Sequence, residues 1–327
     1  MTSKLKSAGR LLKETYAEWK EDKALRLGAA LSYYTVFSLP PLLVLVVAVA
    51  GLVFGAEAAR GQIVKEFQGL IGQGGTETVQ TMIAQASKPK TGRISTLVSV
   101  TVLLLGATGV FTQLQDALNT IWDVRPKPGV GIRYTLKIRA ISLALVLAIA
   151  FLLLVSLVIS SLLAAFGGYI SSIVSGVPMV EALLHGVNFL VSFGIITLLF
   201  ALMFKTLPDA KIAWGDVWLG AAFTAFLFTI GKYLIGLYLG KSDVGTAYGA
   251  AGSLVLILLW VFYSSQILFF GAEFTQVYAN RYGSRIFPDR HAMRIGAGER
   301  AKQGMEEKRG GDGDGRPVPE RETEERR

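Results

Sequence analysis

Long apolar runs separated by polar segments dominate the chain. Five of these runs contain no charged residue, and a sixth contains one lysine. They cover 28–56, 94–115, 140–180, 182–204, 244–272 and, interrupted only by Lys232, 217–239. A helix needs about 20 apolar residues to cross a hydrocarbon layer roughly 30 Å thick. The pattern therefore predicts an all-α, polytopic membrane helix bundle.

The run at 140–180 is long enough for one span or two. Turn signals at Gly167-Gly168 and Pro178 favour a single span followed by an apolar outer loop over 167–185. Six transmembrane helices are thus predicted, at about 28–55, 94–115, 140–166, 186–204, 217–239 and 246–272. In this topology the cytoplasmic segments carry 17 Lys and Arg residues against 6 outside, counting the tail only to residue 292. This bias predicts that both termini lie in the cytoplasm.

The polar connection 56–93 carries two apolar stripes at helical spacing, separated by Gly72-Gln73-Gly74-Gly75. It is predicted to form two short amphipathic helices at the outer membrane interface. Together with this connection, the six spans make up a transmembrane domain over 28–285.

The two ends of the chain differ in composition from the spans. Residues 1–27 combine apolar positions at helical spacing with scattered lysines and arginines, which is typical of a basic amphipathic helix. Such a helix either lies on the membrane surface or packs on the protein's own cytoplasmic face. Residues 286–327 are predicted to be a cytoplasmic tail, disordered from about 296 because almost nothing there is apolar. Deleting 296–327 is accordingly expected to leave folding and insertion intact.

Composition excludes several kinds of chemistry. The chain has no cysteine and two histidines, His185 and His291, so thiolate metal sites, disulfides and multi-histidine metal centres are excluded. No nucleotide-binding or hydrolase motif occurs, and no cofactor is expected. The net charge of +9 on a membrane protein favours anionic lipid headgroups at the basic cytoplasmic segments as partners, rather than nucleic acid. Assembly into a homo-oligomer remains open.

Polar residues inside the spans are the candidate functional residues, because such residues are costly in a membrane. In the predicted topology three polar sets, in spans one, two and six, converge on the cytoplasmic half of the bilayer. Pro40-Pro41 is expected to kink or break the first span. The converging residues are predicted to line a polar cavity, although they could equally hydrogen-bond neighbouring helices as packing contacts. They are Ser32, Tyr33, Tyr34, Ser38, Pro40, Pro41, Thr112, Gln113, Asp116, Asn119, Tyr263, Gln266 and Glu273.

Lys232 is the one cation well inside a predicted span. Its side chain either extends along the helix toward the outer headgroups or binds a substrate anion or counter-ion.

Several short segments resemble the YihY/virulence factor BrkB family, over roughly 10–285. They are Leu27 to Tyr34, Ser38 to Leu42, Ala117 to Trp122, Leu207 to Ala210, Tyr248 to Ala250, Leu259-Trp260 and Gly271 to Glu273. The resemblance implies a six-helix bacterial inner-membrane protein. Members have been linked to serum resistance and envelope integrity, and some to lipid or lipopolysaccharide export.

The family has also carried the label ribonuclease BN, which the residues do not favour. RNA hydrolysis usually takes paired metal ions or a histidine acid–base pair, and here the two histidines fall on opposite sides of the predicted membrane. The sequence favours a transporter or flippase for an anionic amphiphile or small solute. The alternative is an envelope scaffold or assembly factor that transports nothing.

Overall fold

The computed structural model is mostly helical. It describes residues 2–86, 109–129, 131, 140–141, 144, 148, 152, 178–241, 248, 251–296, 300 and 305. Within these residues the helices are α1 (Thr2–Glu21), α2 (Ala24–Phe54), α3 (Ala56–Ala86), α4 (109–121), α5 (Pro178–Thr206), α6 (Trp214–Lys241) and α7 (Gly252–Arg281).

Four of the described helices are long and apolar enough to cross a membrane. These segments are Ala24–Ala48, Gly186–Thr206, Trp214–Tyr238 and Gly252–Arg281. They coincide with the predicted first, fourth, fifth and sixth spans. The predicted spans at 94–115 and 140–166 lie largely outside the described residues. A multi-pass membrane protein is therefore supported.

Helix α7 is the central element, since it packs against α1, α2, α3 and α6. Its contact with α6 is reciprocal. A Cβ built on Gly220 would lie 1.8 Å from the Oγ1 of Thr275, and one on Gly271 would lie 1.9 Å from the Oγ1 of Thr224. Each helix thus has a glycine where the threonine of the other helix packs. This arrangement allows the close backbone approach that associates helices in lipid.

The proline pair does not break α2. The helix runs without interruption from Ala24 to Phe54 through Pro40 and Pro41, so of the predicted kink or break of span one, the break is not observed. Each proline removes one backbone donor, but α2 packs against both α3 and α7. Packing against neighbouring helices is what makes prolines tolerable in membrane helices.

Two other local signals were misleading. Residues 56–86 form one continuous helix rather than two short ones, because packing against α2 and α7 outweighs a cost of about 1 kcal/mol per glycine. Residues 178–185, predicted as part of an outer loop, are helical, since α5 is described over Pro178–Thr206.

Two short antiparallel sheets lie at one end of the bundle. Strand β1 (Val124–Pro126) follows α4 and pairs with β4 (Ala292–Arg294), while β2 (Ala210–Lys211) joins α5 to α6 and pairs with β3 (Phe287–Pro288). We call this region, together with α1 and the C-terminal end of α7, the capped end. Its core includes Phe204 and Leu118, both fully buried.

The described residues 282–296, Arg300 and Met305 belong to the capped end, whereas the sequence predicts a tail that is disordered from about 296. Arg300 is 3% exposed and forms ion pairs with Asp22 and Asp123. Met305 is also buried. The prediction rested on the average composition of the tail. Burial is decided residue by residue, and Arg300 and Met305 are buried although most of their neighbours in sequence are polar. The expectation that nothing beyond 296 packs is therefore wrong for these two residues.

Helix α1 packs on the protein itself. Leu11 and Thr15 are buried on α1, which contacts α7, and the hydroxyls of Ser7 and Tyr282 are 2.8 Å apart. An ion pair joins Glu14 to Arg281. Of the two alternatives for the N-terminal helix, packing on the protein is observed for this face.

Candidate functional site

One predicted site residue, Gln266, makes a polar contact that joins α7 to α2. The Nε2 of Gln266 on α7 donates to the carbonyl of Ala24 at 3.5 Å, and a Cβ on Gly28 would lie 2.0 Å from that nitrogen. Ser32 is buried one turn further along α2, where its hydroxyl donates to the carbonyl of Gly28 at 2.8 Å. Glycine at position 28 thus makes room for the glutamine side chain between the helices.

Glu273 lies on the same face of α7 as Gln266, since the two are seven residues, or about two turns, apart. Its side chain is fully buried. One turn further on, Gln276 donates through Nε2 to the carbonyl of Ile121 at 2.5 Å and to the Oδ2 of Asp123 at 3.2 Å. Helix α7 therefore presents a polar stripe, Gln266–Glu273–Gln276, to α2 and to the end of α4.

Ser38, a predicted cavity residue on α2, lies next to Gly109, the first described residue of α4. Ser38 is buried on α2, and a Cβ on Gly109 of α4 would lie 2.9 Å from its Oγ. Pro40 and Pro41 are half-buried. The segment of α2 around Ser38 thus lies directly against α4.

Other predicted cavity residues point away from these contacts. Tyr33 and Tyr34 are 60% and 47% exposed, and Thr112 is also exposed. Gln113 is half-buried, and the half-buried Tyr263 packs beside Ile235 and Leu256. The predicted set is therefore divided between buried and exposed positions, and a common cavity remains a prediction.

Asn119 belongs to a network that the sequence analysis did not foresee. Its Nδ2 donates to the Oδ2 of Asp209 at 2.9 Å, and its Oδ1 accepts from the Asp209 backbone N–H at 2.8 Å. Gln115 donates to the same carboxylate at 3.3 Å. The network ties α4 to the connection between α5 and α6. Its signal in the sequence was the Leu207-Pro208-Asp209-Ala210 segment, recognised only as part of the family resemblance.

Asp116 lies at the edge of this network, on the exposed side of α4. The crowding of protein atoms around its carboxylate and the nearby Asp209 carboxylate raise its pKa. Asp116, one of the predicted cavity residues, is thus an exposed acidic residue beside the Asp209 network.

Two further contacts of charged residues at the capped end are not among the sequence predictions. Asp216, in the first turn of α6, accepts hydrogen bonds from the backbone and hydroxyl of Ser284 at 3.0 and 2.8 Å. Arg300 bridges Asp22 and Asp123, with Nη2 2.6 Å from the Oδ1 of Asp22. Burial alone would lower the pKa of Arg300, but the two carboxylates outweigh it and raise that pKa.

Lys232 is exposed on α6, next to Tyr233, which is 68% exposed. In lipid an exposed lysine extends its amine toward the headgroups. The described residues do not separate this role from anion binding.

The arrangement defines a helical, multi-pass membrane protein with a polar stripe between its spans and a hydrogen-bonded cap. Residues 15–296 match the family model described as virulence factor BrkB. The chain belongs to the virulence factor BrkB family.

Curated relatives carry the name UPF0761 membrane protein. One from Pseudomonas aeruginosa is 30% identical over 256 residues, which is 77% of this chain and 58% of the relative. Another from Alkalilimnicola ehrlichii is 27% identical over 274 residues, 80% of this chain and 56% of the relative. The chain thus spans less than two thirds of the length of these relatives. No solved structure matches it.

Proposed function

We propose that this protein is a bacterial inner-membrane transporter or flippase-like protein for an anionic amphiphile, lipid or small solute, and that it supports the integrity of the cell envelope. Both termini lie in the cytoplasm in this proposal. The observation that carries it is the full burial of Glu273 within a helix long enough to span the membrane. Ionisable residues inside membrane helices are costly, and they commonly mark substrate or ion pathways.

The sign of the charge assigns a role to Glu273. A carboxylate repels an anionic substrate, so in this proposal Glu273 carries the coupling proton or cation. The chain has no nucleotide-binding motif, which leaves an ion gradient or the membrane potential as the simplest source of energy. The polar neighbours Gln266 and Ser32 then line the pathway between α2 and α7.

The second candidate, an envelope scaffold, is favoured by a specific observation. Gln266 and Gln276 donate to backbone carbonyls of α2 and α4, and Ser32 donates within its own helix. Side chains whose donors are satisfied in this way can serve as packing contacts rather than line a pathway.

Replacement of Glu273 tests the proposal. Glu273→Gln should accumulate in the membrane but fail to rescue an envelope-defective strain that lacks its own family member. Glu77→Gln, an exposed position on α3, is the matched control and should rescue fully. In proteoliposomes, Glu273→Gln should also abolish the movement of a fluorescent phosphatidylglycerol between leaflets, measured by dithionite quenching.

Cysteine accessibility separates the two candidates, since no native cysteine interferes. Lys211→Cys, at an exposed position in the connection between α5 and α6, serves as the positive control for a small polar thiol reagent. Ser32→Cys and Gln266→Cys should react in the folded protein if the stripe borders a wet pathway. If both stay unreactive and Glu273→Gln rescues fully, the scaffold function replaces the transporter.

A further inference from the structure

Helix α1 has three faces, and one of them packs against the part of the protein that the structure describes. Leu11 and Thr15 are buried against the bundle. At 100° per residue, the acidic Glu14 lies on the edge of this buried face, where it pairs with Arg281. The protein-facing side of α1 is therefore fully engaged.

The second face is apolar and exposed. Leu12 and Tyr16, one turn apart, are 41% and 58% exposed, and the Tyr16 ring stacks on Trp19 with centroids 5.9 Å apart. Exposed aromatic and aliphatic side chains in a row on one helix face are typical of helices that lie at a membrane interface.

The third face is basic. Arg10, Lys13 and Lys20 are all exposed, and their spacing puts them together on the side opposite the buried face. The basic face borders the apolar one, so a single surface offers apolar side chains flanked by cations.

The position of α1 brings this surface to the bilayer. Only Asp22 and Lys23 separate α1 from α2, which begins at Ala24 and is long enough to span the membrane. Ser7 and Glu14 contact adjacent residues at the end of α7, Tyr282 and Arg281, so α1 crosses the end of that helix. The C-terminal end of α1 therefore lies at the level at which α2 enters the lipid.

We propose that the exposed surface of α1 docks on the anionic headgroup layer of the leaflet at the capped end. Leu12 and Tyr16 insert between headgroups, while Arg10, Lys13 and Lys20 contact lipid phosphates. The partner follows from charge complementarity, since a cationic surface attached to a membrane span meets anionic lipid first. This inference holds whether or not the protein transports a substrate.

A single-cysteine variant, Leu12→Cys, carrying an environment-sensitive fluorophore in nanodiscs tests the inference. Nanodiscs contain either phosphatidylcholine alone or phosphatidylcholine with a quarter phosphatidylglycerol. With phosphatidylglycerol, the label should show a blue-shifted emission and at least twofold protection from iodide quenching. The triple variant Arg10→Gln/Lys13→Gln/Lys20→Gln should lose most of that protection, and high salt should have the same effect.

An equal loss of charge elsewhere at the capped end provides the control. Lys127→Gln/Lys211→Gln/Arg290→Gln removes three exposed basic residues and should leave the protection of the Leu12→Cys label unchanged. Elution as a folded, monodisperse species is required of both triple variants. The inference is overturned if the label is equally accessible in both lipids, or if both triple variants reduce its protection to the same extent.

Discussion

Removing the guanidinium of Arg300 should destabilise the protein more than any other change in the chain beyond α7 that the structure describes. Arg300 is 3% exposed, Asp22 is fully buried, and the Nη2–Oδ1 distance is 2.6 Å. Arg300→Met keeps much of the side-chain volume but removes the guanidinium that pairs with the Asp22 carboxylate in a buried site.

The magnitude follows from the burial of the two acids. Breaking a buried ion pair by removing one partner costs about 3–5 kcal/mol. The Asp123 side chain is 26% exposed and also accepts from Gln276, so its share is reduced by solvent. We therefore expect a loss of about 3 kcal/mol, arising mostly at Asp22. Arg300→Lys should lose less, because it keeps the charge but cannot bridge both acids.

Thermal unfolding in nanodiscs, followed by intrinsic fluorescence, measures the effect. A chain that ends at residue 295 should lose at least as much stability as Arg300→Met, because it also lacks the buried Met305, whereas one that ends at 305 keeps both residues and should unfold like the full-length chain. The double variant Asp22→Asn/Arg300→Met should recover much of the loss, since both charges of the ion pair are then removed together. The reasoning fails if Arg300→Met and the 295-residue chain both lie within about 0.5 kcal/mol of the wild type.

Two other substitutions test the contacts that hold the bundle together. Gly271→Ala should destabilise the protein by about 1–3 kcal/mol, because its Cβ would meet Thr224, whereas Gly236→Ala, with open space around it, should be neutral or stabilising in the same unfolding assay. Asn119→Ala should cost about 1–3 kcal/mol by leaving the Asp209 amide unpaired. Thr120→Ala, which loses only a hydrogen bond within α4, is its control, and equal losses from both would contradict the role of the network.

The spans were the most predictable part of the fold. Length and a low content of charged residues locate α2, α5, α6 and α7, because a helix that crosses a membrane must be long and apolar. Pro40-Pro41 does not break α2, since packing against neighbouring helices makes prolines tolerable in a membrane helix. The average composition of the tail also failed to predict the burial of Arg300, because burial depends on single residues and not on the mean of a segment.

The candidate site was less predictable, for a geometric reason. A sequence places Tyr33 and Ser32 at the same depth of one span but does not fix the rotation of that span, and the structure buries one and exposes the other. Pairs such as Asn119 and Asp209 lie 90 residues apart. No local pattern links them, so sequence reasoning does not pair them.

The location of the recognisable motifs has a physical explanation. In lipid the hydrophobic effect does not drive helices together, so close packing and polar contacts must do so. Here the Asn119–Asp209, Gln276–Ile121 and Asp216–Ser284 contacts join the helices at the capped end, where α4, α6 and α7 meet short connecting segments. Such contacts require particular side chains, whereas the apolar interior of a span accepts many. Two of the segments that carry the family resemblance, Ala117 to Trp122 and Leu207 to Ala210, lie at these contacts.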